Sequence, residues 1–220
     1  MQIEIPQHPV ETTEASFDTL GLSKEIVDTV RAIGFEHPTP IQAAVIPIAL
    51  QDRDVVGLAQ TGSGKTAAFV LPLAERLEHG HGLRGLILAP TREIAMQTKA
   101  FLDLFGKNHD LSTALLIGGM KMKPQLDALK AKPDIVVATP GRLMDHVNRR
   151  TVKLDEIEWL VLDEADHMLD LGLLPQVRDI LRRLPRDRRT MMFSATMPDS
   201  IEMIAKEFMR DPVHVDITPV

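Results

Sequence analysis

Seven apolar runs of strand length recur from Asp54 onward: DVVGLA, GLILAP, TALLIGG, DIVVATP, EWLVLDEA, TMMFSAT and PVHVDI. Each is nearly continuous in Val, Ile and Leu where a half-exposed strand would alternate with polar residues. Strands read this way when both faces are buried, as in a parallel sheet covered by helices. Helical patterns fill the gaps. In MPDSIEMIAKEFMR, Ile201, Ile204, Ala205 and Phe208 fall at i, i+3, i+4 and i+7, with Pro198 near the start. In LSKEIVDTVRAIG, Ser23 is placed to cap the helix, Ile26, Val30 and Ile33 share a face, and Gly34 can close it. The expectation is a doubly wound α/β domain, a mostly parallel sheet of about seven strands with helices on both faces.

In such sheets ligands bind beyond the carboxyl ends of the strands. Here those ends read LAQTGSGKT, LAPTRE, IGGMK, VATPGR, LDEAD and FSAT. Nearly every polar cluster of the chain should therefore line one edge of one sheet.

Composition narrows what that edge can hold. The chain has 220 residues, 44% of them hydrophobic and 25% charged, which suits one globular domain. Having no cysteine, it can build neither a disulfide framework nor a thiolate metal site. No run of eighteen apolar residues appears, and the first residues lack a basic segment followed by an apolar one, so a non-membrane, cytoplasmic protein is expected. Net charge is −6, so any nucleic-acid binding must come from a local groove. Residues 1–15, with Pro6 and Pro9, read as a flexible extension before a domain at 16–217. The loop EHGHGLRG carries His79 and His81, which a surface turn explains better than a metal. The most basic tract, RDILRRLPRDRR at 178–189, is accounted for by a solvated helix and its following loop.

AQTGSGKT, Ala59 to Thr66, follows the first strand and opens a helix, the context in which a phosphate-binding loop is credible. Gly62 and Gly64 let successive N–H groups converge on an anion, and the helix start adds its dipole. Lys65 supplies a charge for β- and γ-phosphates, and the Thr66 hydroxyl is placed to ligate Mg²⁺. The motif's usual first glycine is Ala59 here, at the strand end where a methyl group is tolerable.

A second cluster sets the complementary charge. In WLVLDEADHML an apolar strand runs into Asp163, Glu164 and Asp166, carboxylates that repel one another unless a cation or a proton intervenes. A nucleoside triphosphate brings Mg²⁺, which Asp163 can hold directly or through water. Glu164 can orient or deprotonate the water that attacks the γ-phosphate. Asp166 needs another partner, for which the Ser194 and Thr196 hydroxyls are candidates.

These motifs together resemble the DEAD-box ATP-dependent RNA helicases, specifically the first of their two RecA-like domains. The resemblance covers about residues 16–217, with GFEHPTPIQ, AQTGSGKT, PTREIA, GG, TPGR, DEAD and SAT in family order. It implies that ATP and Mg²⁺ are bound, with Lys65, Asp163 and Glu164 catalytic and Thr66 and Asp163 on the metal. Thr61, Gly62, Ser63, Gly64, Lys65 and Thr66 would cradle the phosphates. Gln42 would hydrogen-bond the adenine edge and Phe35 would stack on it, with Phe17 supporting the pocket. Thr91, Arg92, Gly119, Thr139, Gly141 and Arg142 match positions that contact the backbone of a single-stranded or duplex RNA, without reading sequence. Asp166, Ser194 and Thr196 would couple hydrolysis to unwinding. Nothing in the chain matches the family's second domain, which supplies arginine fingers and half of the RNA cleft. The resemblance thus implies an N-terminal domain excised from a longer helicase, able to bind nucleotide but slow to hydrolyse it. A DNA helicase or other phosphate-loop ATPase is disfavoured by PTPIQ together with DEAD.

Overall fold

The computed structural model describes residues 15–218, apart from the side chains of 106–108. The expected extension at 1–15 therefore lies, but for Ala15, outside the described residues. A 3₁₀ turn at Phe17–Thr19 leads into α1 (Lys24–Ala32) and α2 (Pro40–Ala49). There follow β1 (Val55–Leu58), α3 (Lys65–Arg76), β2 (Gly85–Leu88), α4 (Arg92–His109), β3 (Thr113–Leu116) and α5 (Met122–Lys130). Then come β4 (Ile135–Ala138), α6 (Pro140–Asn148), β5 (Trp159–Leu162), α7 (Ala165–Asp170) and α8 (Leu174–Arg183). The last elements are β6 (Arg189–Ser194), α9 (Asp199–Phe208) and β7 (Val213–Asp216). Each of the seven apolar runs carries one strand, β6 beginning one residue earlier at Arg189.

The strands form a single sheet in the order β3-β4-β2-β5-β6-β1-β7, and every pairing is parallel. Side chains alternate between the two faces along each strand. Both faces are covered, so both sets are apolar, and this is why the runs show no alternation in sequence. Val55, Ile87, Val137, Val161, Met191 and Phe193 point into one core with Phe17, Ile41, Phe69 and Phe105. Val56, Leu86, Val136, Leu160 and Met192 point into a second core with Leu143, Ile180 and Ile204. Each such side chain contributes about 1.5–3 kcal/mol by leaving water.

Local signals set the helix ends. The Ser23 hydroxyl accepts from the Ile26 N–H at 3.4 Å, and Gly34 takes φ 98° just past α1, as the sequence suggests. The α9 helix begins at Asp199, directly after Pro198. Because all strands run the same way, the segments following β1 to β6 emerge at one edge of the sheet.

Candidate functional site

The loop between β1 and α3 closes tightly on the start of α2. Gly64 has φ 92°, and a Cβ there would lie 2.5 Å from Gln42 Nε2 and 2.8 Å from Thr39 Oγ1. Only glycine fits, in backbone conformation and in space. Gln42 has no exposed surface; its Nε2 donates to the Gly64 carbonyl and its Oε1 accepts from the Thr39 N–H, each at 3.0 Å. The residue expected to read a base is thus also the staple between PTPIQ and the glycine loop. Lys65 is buried, and its Nζ donates to the Ala59 carbonyl at 2.8 Å. Thr66 sits in the first turn of α3, half-buried, while Thr61 and Gly62 are exposed at the crest of the loop. The Ser63 hydroxyl is buried here with no hydrogen-bond partner, while the Thr39 hydroxyl faces the Gln42 N–H in a capping box. Buried polar atoms are rarely left so. An unpaired hydroxyl beside a convergent loop and a buried lysine suits the binding of a phosphate.

Phe17 lies within the core at 1% exposure, beneath this region. Phe35 is half-buried and meets the edge of Phe101, with ring centroids 5.9 Å apart and planes at 69°. Phe101 contacts Phe105 in turn, at 5.4 Å. The residue holding Phe35 is therefore on α4, and only the fold brings them together.

Two strands away, β5 ends at the acidic cluster. Asp163 is 5% exposed, and its carboxyl is pushed up to about 7, first by burial and then by the neighbouring Glu164, against the pull of Lys65. Lys65 acts on Asp163 because the strands they follow, β1 and β5, flank β6. Glu164 occupies the left-handed region, φ 50° and ψ 57°, which disfavours any residue with a Cβ. The turn redirects the chain into α7 and leaves the Glu164 carboxylate 3.2 Å from His167 Nδ1.

Asp166 finds the partners expected of it. Its Oδ2 accepts from the N–H groups of Ala195 and Thr196, at 3.2 and 3.1 Å, and from the Thr196 hydroxyl at 3.1 Å. Its own N–H donates to Ser194 Oγ at 3.1 Å. Burial pushes this carboxyl up, but the bonds from Ser194 and Thr196 prevail and hold it below the usual carboxylate range. DEAD and SAT are one hydrogen-bonded unit across β5 and β6.

The other side of the edge is open. Thr91, Arg92, Thr139, Gly141 and Arg142 line a groove of about 530 Å³ beyond β2 and β4. Thr91 caps α4, accepting from the Ile94 N–H at 3.3 Å. Gly119, at φ 77°, lies directly under Arg92; a Cβ there would be 1.9 Å from the guanidinium. Arg142 Nη1 donates to the Met120 carbonyl at 3.1 Å. Behind the groove, Gln125 Nε2 donates to the Ile117 carbonyl at 3.1 Å and Gln125 Oε1 meets His146 Nε2 at 3.1 Å. His146 Nδ1 meets Thr151 Oγ1 at 2.8 Å, and burial lowers its pKa, which favours the neutral ring. Gln125 and His146 shape the GG loop, and sequence reasoning missed both. Their signal was a polar residue on the apolar face of a short helix.

His79 Nδ1 meets Asp134 Oδ2 at 3.0 Å and His81 Nε2 meets Glu78 Oε2 at 3.3 Å. Among the described residues no group of three or more His, Asp or Glu is arranged to hold a metal, and no helix is long and apolar enough to cross a membrane.

A family profile for "DEAD/DEAH box helicase" matches residues 39–204. The chain is 46% identical over 203 residues to the DEAD-box ATP-dependent RNA helicase CshA of Bacillus cereus, covering 92% of this chain and 39% of that protein. The ATP-dependent RNA helicase CshA of Limosilactobacillus reuteri is likewise 46% identical, covering 91% of this chain and 41% of its own length. The fold superimposes on the crystal structure of a DEAD box protein from Methanococcus jannaschii with a TM-score of 0.89 and 43% identity, over 92% of this chain and 56% of that one. A hypothetical ATP-dependent RNA helicase from Sulfolobus tokodaii gives a TM-score of 0.82 at 35% identity, over 89% and 57% of the two chains. The chain thus spans about two fifths of the length of the curated relatives it matches.

Proposed function

The chain belongs to the DEAD/DEAH box helicase family, and we propose that it is the first RecA-like domain of a cytoplasmic ATP-dependent RNA helicase. The observation that carries most of this reading is the placement of buried Lys65 and buried Asp163 just beyond β1 and β5, the two strands that flank β6. Neither group is stable as a lone buried charge, and a magnesium–triphosphate would satisfy both. Lys65, Thr66 and the N–H groups of 61–65 would hold the phosphates. Thr66 and Asp163 would hold Mg²⁺, which when bound supplies positive charge at the β- and γ-phosphoryl oxygens. Glu164 would accept a proton from the attacking water while the bond from the γ-phosphorus to the bridging oxygen breaks. Its strained turn fixes where that carboxylate points.

Phe35 and Gln42 would recognise adenine. Gln42 retains one N–H and one lone pair beyond the two bonds it makes, which base recognition would use once its side chain, fully buried in this structure, is uncovered. Thr91, Arg92, Gly119, Thr139, Gly141 and Arg142 would grip an RNA backbone, with hydroxyls, helix-start N–H groups and arginine forks suited to phosphate. The Asp166–Ser194–Thr196 unit would couple the two activities, since it ends on the strand between loop and acidic cluster. The second RecA-like domain of a longer parent would complete the cleft, so the 220-residue chain alone is expected to bind nucleotide with little turnover.

Phosphate release measured on the two-domain parent, with and without single-stranded RNA, tests the reading. RNA should stimulate release, and Glu164→Gln should abolish it while ATP binding survives. RNA-independent release, or a near-normal rate in Glu164→Gln, would reject it.

A further inference from the structure

The basic tract at 178–189 takes no part in the sites described above. It forms the end of α8 and the loop into β6, at the amino ends of the strands and so at the opposite edge of the sheet. There the α8 end, this loop and the segment after α9 enclose a cleft of about 500 Å³ lined by Arg182, Arg186, Arg188 and Arg210, with Glu207 as its one acid. Its lining carries four positive charges against one negative, and with Asp187, which pairs with Arg210 at the rim, two positive charges remain in excess, on a chain whose net charge is −6.

Helix C-termini favour basic residues, which accounts for Arg182 in the last turn of α8. It accounts for one bond of Arg188, whose guanidinium donates to the carbonyl of Phe208 at the end of α9, but not for the burial of that charge without a carboxylate, nor for Arg186 in the loop or Arg210 beyond α9. Arg188 is the decisive residue. It is 5% exposed, and its three hydrogen bonds all go to neutral acceptors: Thr190 Oγ1 at 3.2 Å, the Pro185 carbonyl at 2.6 Å and the Phe208 carbonyl at 3.0 Å. Among the described residues no carboxylate lies within ion-pair distance of it. The Asp54 carboxylate acts on it only from further off, and accepts instead from the N–H groups of Thr190 and Arg210, at 2.9 and 2.6 Å. Buried guanidinium groups ordinarily pair with an anion, and two of the five N–H donors of Arg188 remain. The rim is held loosely, Arg210 pairing with an Asp187 side chain that is 87% exposed.

We infer that this arginine cleft is a second binding site, for the phosphate groups of a polyanion. A carboxylate carries one charge, and Glu207 already serves Arg178 and Arg182. A phosphate chain offers several charges and enough acceptor oxygens to bridge arginines from three segments. Because the cleft lies at the far edge of the sheet, it can fill without displacing anything in the nucleotide pocket or the RNA groove.

Calorimetric titration of the chain with inorganic tripolyphosphate tests the site. One binding event should persist in Lys65→Ala and weaken at least tenfold in Arg186→Ala/Arg210→Ala, which spares the carbonyl contacts of Arg188. A parallel titration with a single-stranded RNA oligonucleotide across salt concentrations identifies the source of the phosphate. If RNA occupies the cleft, the arginine pair should flatten the salt dependence by about one to two counterions. If tripolyphosphate binding alone responds, the occupant is a small polyphosphate. The inference is overturned if neither probe responds to the arginine pair, or if hexaglutamate binds the cleft as tightly as tripolyphosphate.

Discussion

The two halves of the sheet's carboxyl edge are built from the same strand–loop–helix units and differ in one respect: what happens to their polar groups. Over β5, β6 and β1 the charged pair and one hydroxyl are buried short of partners. Asp163 and Lys65 are both under a tenth exposed, and the Ser63 hydroxyl lacks a partner. Over β3, β4 and β2 the polar groups lie along an open groove, with Arg92 and Gly141 exposed and Arg142 held by the Met120 carbonyl and by Asp145. The first arrangement suits a small, highly charged ligand that replaces the missing partners in a dry pocket. The second suits a long polyanion that is gripped at many weak points and must be released. One scaffold supports both because β5 stands at the boundary, and Asp166 ties its end to SAT on β6.

The buried half should respond most strongly, and through stability as well as binding. The folded pKa of Asp163, about 7, lies above the ordinary 3.8, so between those values the folded chain holds a proton that the unfolded chain releases. Stability should therefore fall as pH rises from about 4 to about 7. Asp163→Asn should match the wild type near pH 4 and exceed it at pH 8, by up to about 4 kcal/mol on the scale of that shift. Denaturant midpoints across pH check this, and a pH-independent difference would refute it. The same variant should lose Mg²⁺-dependent nucleotide affinity.

Lys65→Ala should weaken ADP binding by about 10–100-fold, the loss of one or two charge-assisted hydrogen bonds. Fluorescent-nucleotide titration reads it. RNA affinity without nucleotide should stay unchanged; a matching loss there would mean that the halves are not separable. Arg142→Ala should do the reverse. RNA affinity should fall several-fold with a salt dependence reduced by about one counterion, at constant ADP affinity. Equal effects on both ligands would erase the distinction between pocket and groove.

The smallest expected effect tests whether the buried half extends to α4. Phe101→Leu removes an aromatic pair of about 0.5–1.5 kcal/mol, so affinity for adenine nucleotides should drop two- to tenfold while tripolyphosphate binding is unaltered. Phe35→Ala is the reference. A loss in Phe35→Ala without one in Phe101→Leu would remove Phe101 as a positioning residue.

Much of this was legible without coordinates. Seven continuous apolar runs specified a two-faced parallel sheet because their composition excludes an exposed face, and the strand ends gathered the motifs at one edge because parallel strands share a direction. The Asp166 contacts with SAT were also foreseen, since a third carboxylate near a cation site needs its own donors. Gln125, His146 and Phe101 were not. Each acts through a contact with another segment; a polar residue on an apolar helix face is the local hint of Gln125 and His146, and Phe101 on its own helix looks like an ordinary core position. Gln42 shows the same limit: its type suggested recognition of a base, whereas its role as a staple depends on a Gly64 carbonyl 22 residues away.

The sequence by itself thus determined the layer architecture, the strand count and the edge where the chemistry collects, because periodicity and local geometry are properties of neighbouring residues. Only the tertiary structure decided which polar groups would be dry and which wet. That depends on how the strands are ordered and what packs behind them, and burial is what turns a carboxylate or an arginine from a solvated charge into one that needs a ligand.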